Sequence, residues 1–157
     1  MVNTNMVGVF PSTASLKEVS IRNRHNGLGR PIKECSPRLI GAYGVDLAAA
    51  YLEDQGYHVV YRHWVSRCGT VDLVCVKDDI AVLVEVRSRT ARSGHKMYME
   101  DVKVGYRRRN SFRNQAGLYL AKHVDQDVAR YDIISVQIAD GYEASLYHCM
   151  GVCEVSC

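Results

Sequence analysis

Two short runs rich in β-branched residues, TVDLVCVK (70–77) and IAVLVEVR (80–87), stand end to end across Asp78-Asp79 and constrain the chain more than any other part of it. Each run reads as a strand, with the aspartate pair as the turn between them. With that pair at the centre of the hairpin, Lys77 lies opposite Ile80 and Val76 opposite Ala81. Carried onward, the register sets Asp72 opposite Glu85, and Thr70 opposite Arg87 on the same side of the sheet. A four-residue loop keeps this register and a three-residue loop shifts it by one. Direct cross-strand neighbours have Cβ atoms about 4.5–5.5 Å apart, and two like charges so placed are destabilising.

A carboxylate in an apolar strand is costly unless it is paired, exposed or bound to a metal. Two readings of Asp72 and Glu85 follow. In one they lie on a solvated face and pair with Thr70, Arg87 and Arg89. In the other a cation compensates them, either Arg87 or a divalent metal. Oxygen-only ligands suit Mg²⁺, which keeps several waters and takes one or two protein carboxylates plus substrate phosphate.

Around the hairpin the pattern of the chain divides clearly. Residues 1–36 mix Asn, Ser, Gly and Arg without periodicity and read as a disordered basic extension. From Ser36-Pro37, Leu39, Ile40, Tyr43, Leu47, Ala50 and Tyr51 recur at helical spacing, and Gly56 marks the stop. Residues 57–64 read as a strand, so three successive strands form an antiparallel meander. A polar loop (88–98) precedes a second helix over 100–122, whose start is acidic as the helix dipole favours. Residues 130–138 form a further strand, 139–141 a turn and 142–148 a last strand. The reading is a mixed α/β fold in the order α-β-β-β-α-β with an extra C-terminal strand. It occupies one domain over 37–149, with a tail at 150–157. A chain of 157 residues is about one domain's worth.

The net charge of +3 hides a segregated distribution. Arg87, Arg89, Arg92, Lys96, Lys103, Arg107, Arg108, Arg109 and Arg113 face only Glu100 and Asp101 within 87–113, a local charge of +7. Such a stretch beside two carboxylates suits a phosphate-bearing substrate, with the metal polarising a phosphodiester. Arg107, Arg108 and Arg109 cannot all point one way on a helix at 100° per residue, so at least one belongs to the plain surface. No run of 18 apolar residues spans a membrane, and no basic segment leads into an apolar leader, so a cytoplasmic protein with no membrane partner is expected. The six cysteines read as reduced thiols, and Cys149, Cys153 and Cys157 lack the CxxC pairs of a zinc site. Tyr51, Tyr57, Tyr61 and Trp64 read as core or sheet aromatics, and the six histidines show no ligand spacing.

GAYGVDLAAAYLEDQGYHVVYRHWVSRCGTVDLVCVKDDIAVLVEVRSRT, followed later by RYDIISV, resembles the YraN-like family of bacterial proteins. The family pattern is roughly G-x-x-G-E, A-x-x-Y-L, G-Y, N-W, G-E-[IL]-D-L, V-E-V-K-x-R and R-[FY]-D-V-V-x-V, and the likeness runs from about Leu39 to Ile138. The resemblance implies a restriction-endonuclease-like core related to archaeal Holliday junction resolvases. It implies Asp72 and Glu85 as metal-binding carboxylates for Mg²⁺ or Mn²⁺, branched or duplex DNA as substrate, and a homodimer. Three positions depart. Val45 stands where the family has a helix glutamate, Thr70 replaces the glutamate of G-E-[IL]-D, and Arg87 replaces the lysine of E-V-K. Asp46 lies about 100° around the helix from Val45 and does not substitute for the missing glutamate. Arg87 keeps the charge and can hold a phosphate but, always protonated, cannot act as a base. On the family pattern Asp72, Glu85 and Arg87 form the catalytic set, while Arg87, Arg89, Arg92, Lys96, Lys103, Arg107, Arg108 and Arg109 meet the nucleic acid. The departures imply an alternative, an enzyme-like shell that binds DNA or a protein partner without cleavage. Arg130 and Asp132, also on a family motif, read as a structural ion pair.

Overall fold

Ser36 caps the first helix, α1 (Pro37–Asp54), by accepting the Leu39 N–H at 3.2 Å, with Pro37 at the first helical position. The helix stops at Gly56, whose φ of +83° closes its C-terminus. These features belong to a computed structural model that describes residues 16–22, 31–91, 104–139 and 143–156. The remaining elements are β1 (Leu16–Arg22), β2 (His58–Ser66), β3 (Gly69–Lys77), β4 (Ile80–Thr90), α2 (Tyr106–Leu120), β5 (Val128–Ile138) and β6 (Glu143–Ser156).

Six strands form one sheet in the order β1-β6-β5-β4-β3-β2. The meander β2-β3-β4 is antiparallel, with Lys77 opposite Ile80 and Val76 opposite Ala81. Asp78 (φ 51°) and Asp79 (φ 60°) form a two-residue turn with both residues left-handed, the conformation whose twist matches the flanking strands. β4 and β5 are parallel, a pairing that requires a crossover, and α2 lies in the connection. α1 covers one face through Leu47, Ala48 and Leu52, packed on Leu73, Val82, Val84 and Ile134. On the other face Phe112, Ala116, Tyr119 and Leu120 of α2 pack on Val74, Leu83 and Ile133. α1 comes close enough to β4 that a Cβ on Gly44 would stand 1.8 Å from Ser88 Oγ. The element order is that of a nuclease-like α/β core with the expected additional C-terminal strand.

Three boundaries differ from the sequence expectation. Within the segment read as a disordered extension, Leu16–Arg22 is a strand paired antiparallel to β6, and Ile32–Glu34 form a 3₁₀ turn; residues 1–15 and 23–30 lie outside the described residues. The strand forms because β6 runs unbroken from Glu143 to Ser156, through the segment read as a tail, and offers an open edge. The second helix starts at Tyr106 and not at residue 100, since Gly105 at its N-cap is extended (φ −68°, ψ 163°); positions 100–103 lie outside the described residues.

Candidate functional site

Asp72 is the one residue of β3 matched in neither neighbouring ladder. The β3–β4 register ends at Leu73 opposite Val84, and the β2–β3 register passes from Leu73 to Val71 without it. The expected Asp72–Glu85 backbone pair is thus missing by a single step. In its place Asp72 Oδ2 accepts the Val86 N–H at 2.8 Å, so a side chain does the work of a ladder carbonyl. The strands part here because a carboxylate competes successfully for the backbone donor. Burial pushes the Asp72 carboxyl above its ordinary value and the Glu85 charge adds to this, against the Val86 N–H, which lowers it.

Glu85 lies beside this opening and is held by three donors. Arg87 Nε donates to Oε1 at 3.1 Å, Arg108 Nε donates to Oε2 at 2.7 Å, and the Tyr131 hydroxyl also donates to Oε2. The carboxylate is 13% exposed, whereas the Arg108 side chain, reaching over from the first turn of α2, is 56% exposed. Burial works to raise the Glu85 carboxyl, but Arg108, Tyr131 and Arg87 override it and hold it below the usual range. Two neighbouring carboxyls are thereby driven in opposite directions. Burial, reinforced by Glu85, pushes the Tyr131 phenol up, so it stays a donor.

These groups line a cleft of about 140 Å³ between the parted strands and α2, with Thr70, Ser111, Phe112 and Gln115 in its wall. Tyr131 stacks on Phe112 with centroids 4.9 Å apart, which aims its hydroxyl at Glu85. Sequence reasoning placed Asp72, Glu85, Thr70 and Arg87 together on the hairpin and Arg108 only within the basic stretch; the structure brings all five to this region. It missed Tyr131, Ser111 and Gln115. One signal was available: Arg108, Ser111, Phe112 and Gln115 follow the i, i+3, i+4, i+7 spacing of a single helix face.

The other expected residues are dispersed. Val45 is buried in the cluster beneath α1, on the face of the sheet away from the cleft. Asp46 pairs outward with Arg62 at 2.7 Å. The three consecutive arginines diverge: Arg107 is exposed, Arg108 turns to Glu85 and Arg109 is half-buried. Arg89 is exposed near the end of β4; Arg92, Lys96 and Lys103 lie outside the described residues.

A divalent cation between Asp72 and Glu85 does not fit this arrangement. Both Glu85 oxygens face cationic or hydroxyl donors, and Arg87 and Arg108 already supply the charge that a metal would bring. Among the described residues no group of three or more His, Cys, Asp or Glu side chains is placed to hold a metal ion. Among the same residues Cys35, Cys68, Cys75, Cys149 and Cys153 form no disulfide, with burial pushing Cys75 up to about 12 and Cys153 to about 11.

Arg130 and Asp132 form the expected ion pair at 2.7 Å, within a larger polar cluster under α1. Asp132, fully buried, also accepts the Gly151 N–H at 2.9 Å and contacts His148 Nε2 at 2.8 Å; His148 Nδ1 in turn meets the Tyr51 hydroxyl at 3.3 Å. Burial raises the Asp132 carboxyl, but His148 and Arg130 outweigh it and hold it below the normal range. As at Asp72, a carboxylate accepts a backbone N–H where a ladder breaks, here between Tyr131 and Ile133. This cluster is structural, since both Asp132 oxygens are engaged within it by Arg130, His148 and the Gly151 N–H.

Residues 44–136 match the model of the Uncharacterised protein family UPF0102. The chain is 35% identical over 107 residues to a UPF0102 protein of Syntrophomonas wolfei, covering 66% of this chain and 89% of that one. It is 35% identical over 112 residues to one of Rhodococcus jostii, covering 69% and 91%. With one of Mycolicibacterium gilvum the identity is 34% over 118 residues, covering 72% and 92%. The matched segment runs from within α1 to within β5 and includes the cleft residues of β3, β4, α2 and β5. The chain belongs to the uncharacterised protein family UPF0102, the YraN-like family that its motifs resemble.

Proposed function

We propose that this chain is a DNA-binding protein of nuclease-like fold that holds duplex or branched DNA without cleaving it. The observation that carries the reading is the Arg87–Glu85–Arg108 clamp. Two guanidinium groups stand at the cleft mouth, where they can meet a phosphate, and they occupy both Glu85 oxygens that a catalytic metal would use. Exposed Arg107 and Arg89 extend the positive surface along α2 and β4. Guanidinium groups suit phosphate because their planar fork matches its oxygens, and neutralising phosphates releases condensed counterions. Arg87 cannot accept a proton, so it offers no base for activating water. Free thiols accord with a cytoplasmic location. No helix among the described residues is long and apolar enough to cross a membrane.

A second reading, Mg²⁺- or Mn²⁺-dependent cleavage, draws on the convergence of Asp72 and Glu85 in one cleft and requires Arg108 to leave Glu85. Labelled duplex, single-stranded and four-way-junction DNA, incubated with the protein in chelator or in Mg²⁺ or Mn²⁺, separates the two on paired native and denaturing gels. A retarded complex with intact strands in every condition is expected. Cut strands that disappear with Asp72→Asn would establish the second reading. Absence of any complex at low salt would remove both.

A further inference from the structure

The Gln115 side chain is only 8% exposed, lines the cleft beside Asp72, and has no hydrogen-bond partner among the described residues. Its donor and acceptor open onto a cavity of about 140 Å³, where a ligand can reach them. Gly69 faces it from the hairpin, where a Cβ would come within 3.2 Å of Gln115 Nε2, so the backbone here leaves the amide clear. We infer that the cleft receives one unstacked pyrimidine base of a bound nucleic-acid strand, read by Gln115.

Three properties of the cavity select this ligand. A cavity of about 150 Å³ accommodates one six-membered ring, so the volume of the cleft matches a single-ring base more closely than a purine. The wall carries Asp72 and Glu85, which repel an anion, while Arg108 stands at the mouth; a neutral base goes in and its phosphate stays outside at the guanidinium. The pairing edge of a pyrimidine presents a donor beside an acceptor, the complement of a carboxamide, and Asp72 Oδ1, which has no hydrogen bond among the described residues, can accept from an exocyclic amino group. The Ser111 and Thr70 hydroxyls complete a polar rim. The base must leave its stack to enter, which directs the cleft to bulges, junctions or single strands.

This inference rests on the nucleic-acid-binding reading, and the experiment separates the two. Fluorescence anisotropy compares duplexes that carry one bulged pyrimidine, one bulged purine or one bulged abasic residue, with free CMP and UMP as further ligands. The wild type is expected to bind the pyrimidine bulge about ten-fold or more tighter than the abasic bulge, the scale of one good amide–base pair. Gln115→Leu should abolish that difference between the two bulges. Ser111→Leu, which narrows the cleft from a half-exposed helix position, should do the same if Gln115→Leu does not fold. Equal wild-type binding of the pyrimidine and abasic bulges would overturn the assignment and leave DNA binding intact. Free CMP or UMP bound as tightly as the bulged strand would overturn a strand-borne base. Failure of every strand to bind at low salt would remove the DNA-binding reading and this inference with it.

Discussion

Arg108 Nε donates to Glu85 Oε2 at 2.7 Å, tying the first turn of α2 to β4 across the mouth of the cleft. With the arginine more than half exposed, solvent screens the pair, and its contribution to stability is no more than about 1 kcal/mol. Its consequence is electrostatic: it fixes which groups a ligand meets on approach.

Glu85→Gln keeps the shape of the clamp and an acceptor for Tyr131 while removing the single negative charge between Arg87 and Arg108. Duplex DNA should bind more tightly at low salt, and the plot of log affinity against log salt should steepen by about 0.9, the equivalent of one phosphate contact. Arg107→Ala should flatten it by about the same amount. Unchanged slopes in both variants would place the DNA elsewhere on the molecule.

Asp72→Asn should raise the melting temperature at neutral pH. The folded-state value of Asp72 lies above the ordinary one of about 3.9. The native protein therefore binds more protons than the unfolded chain in that window and loses stability as pH rises through it. The penalty grows as the carboxylate ionises. Asparagine removes it and still accepts the Val86 N–H. Melting curves from pH 3 to pH 7 should show the advantage of the variant growing with pH and vanishing at the acid end.

Asp132 behaves in the opposite sense. Its folded value is depressed, so its contribution is present above the unfolded value and is lost as pH falls through the folded one. Asp132→Asn leaves Arg130 without its counter-charge in a half-buried cluster and should cost about 3–5 kcal/mol in denaturant unfolding. A cost below about 1 kcal/mol would mean that the cluster is better solvated than its burial indicates.

Gly44→Ala places a methyl group against Ser88 Oγ at 1.8 Å and Cβ at 2.8 Å, so α1 must shift from β4. Overpacking of this kind costs about 1–3 kcal/mol. Gly44→Ala combined with Ser88→Ala should recover part of the loss, a coupling measurable as a double-mutant cycle.

What the chain reveals before folding depends on the reach of each interaction. α1 was legible because Ser36-Pro37 and Gly56 are local signals at its two ends. The hairpin register was legible because two left-handed aspartates fix it and the pattern repeats every second residue. β1 was not legible: LKEVSIR becomes a strand by pairing with β6, more than a hundred residues later. The start of α2 was misread because acidic residues at 100 and 101 imitate a helix N-terminus, whereas the chain enters the helix through Gly105. At the site, Asp72 and Glu85 stood out as charges in apolar strands. That Arg108 clamps Glu85 depends on how α2 packs, and Tyr131 reaches Glu85 only through the parallel β4–β5 pairing, neither of which leaves a local trace.

On the proposed reading, Arg87 and Arg108 take the place of a metal in a cleft that binds DNA. Anisotropy of a labelled duplex over a salt series, in chelator and in Mg²⁺ or Mn²⁺, with the strands checked for cuts afterwards, tests it most directly. Binding that weakens steeply with salt, needs no divalent ion and leaves every strand intact is expected. Binding or cleavage that appears only with the metal, and is lost in Asp72→Asn, would contradict it.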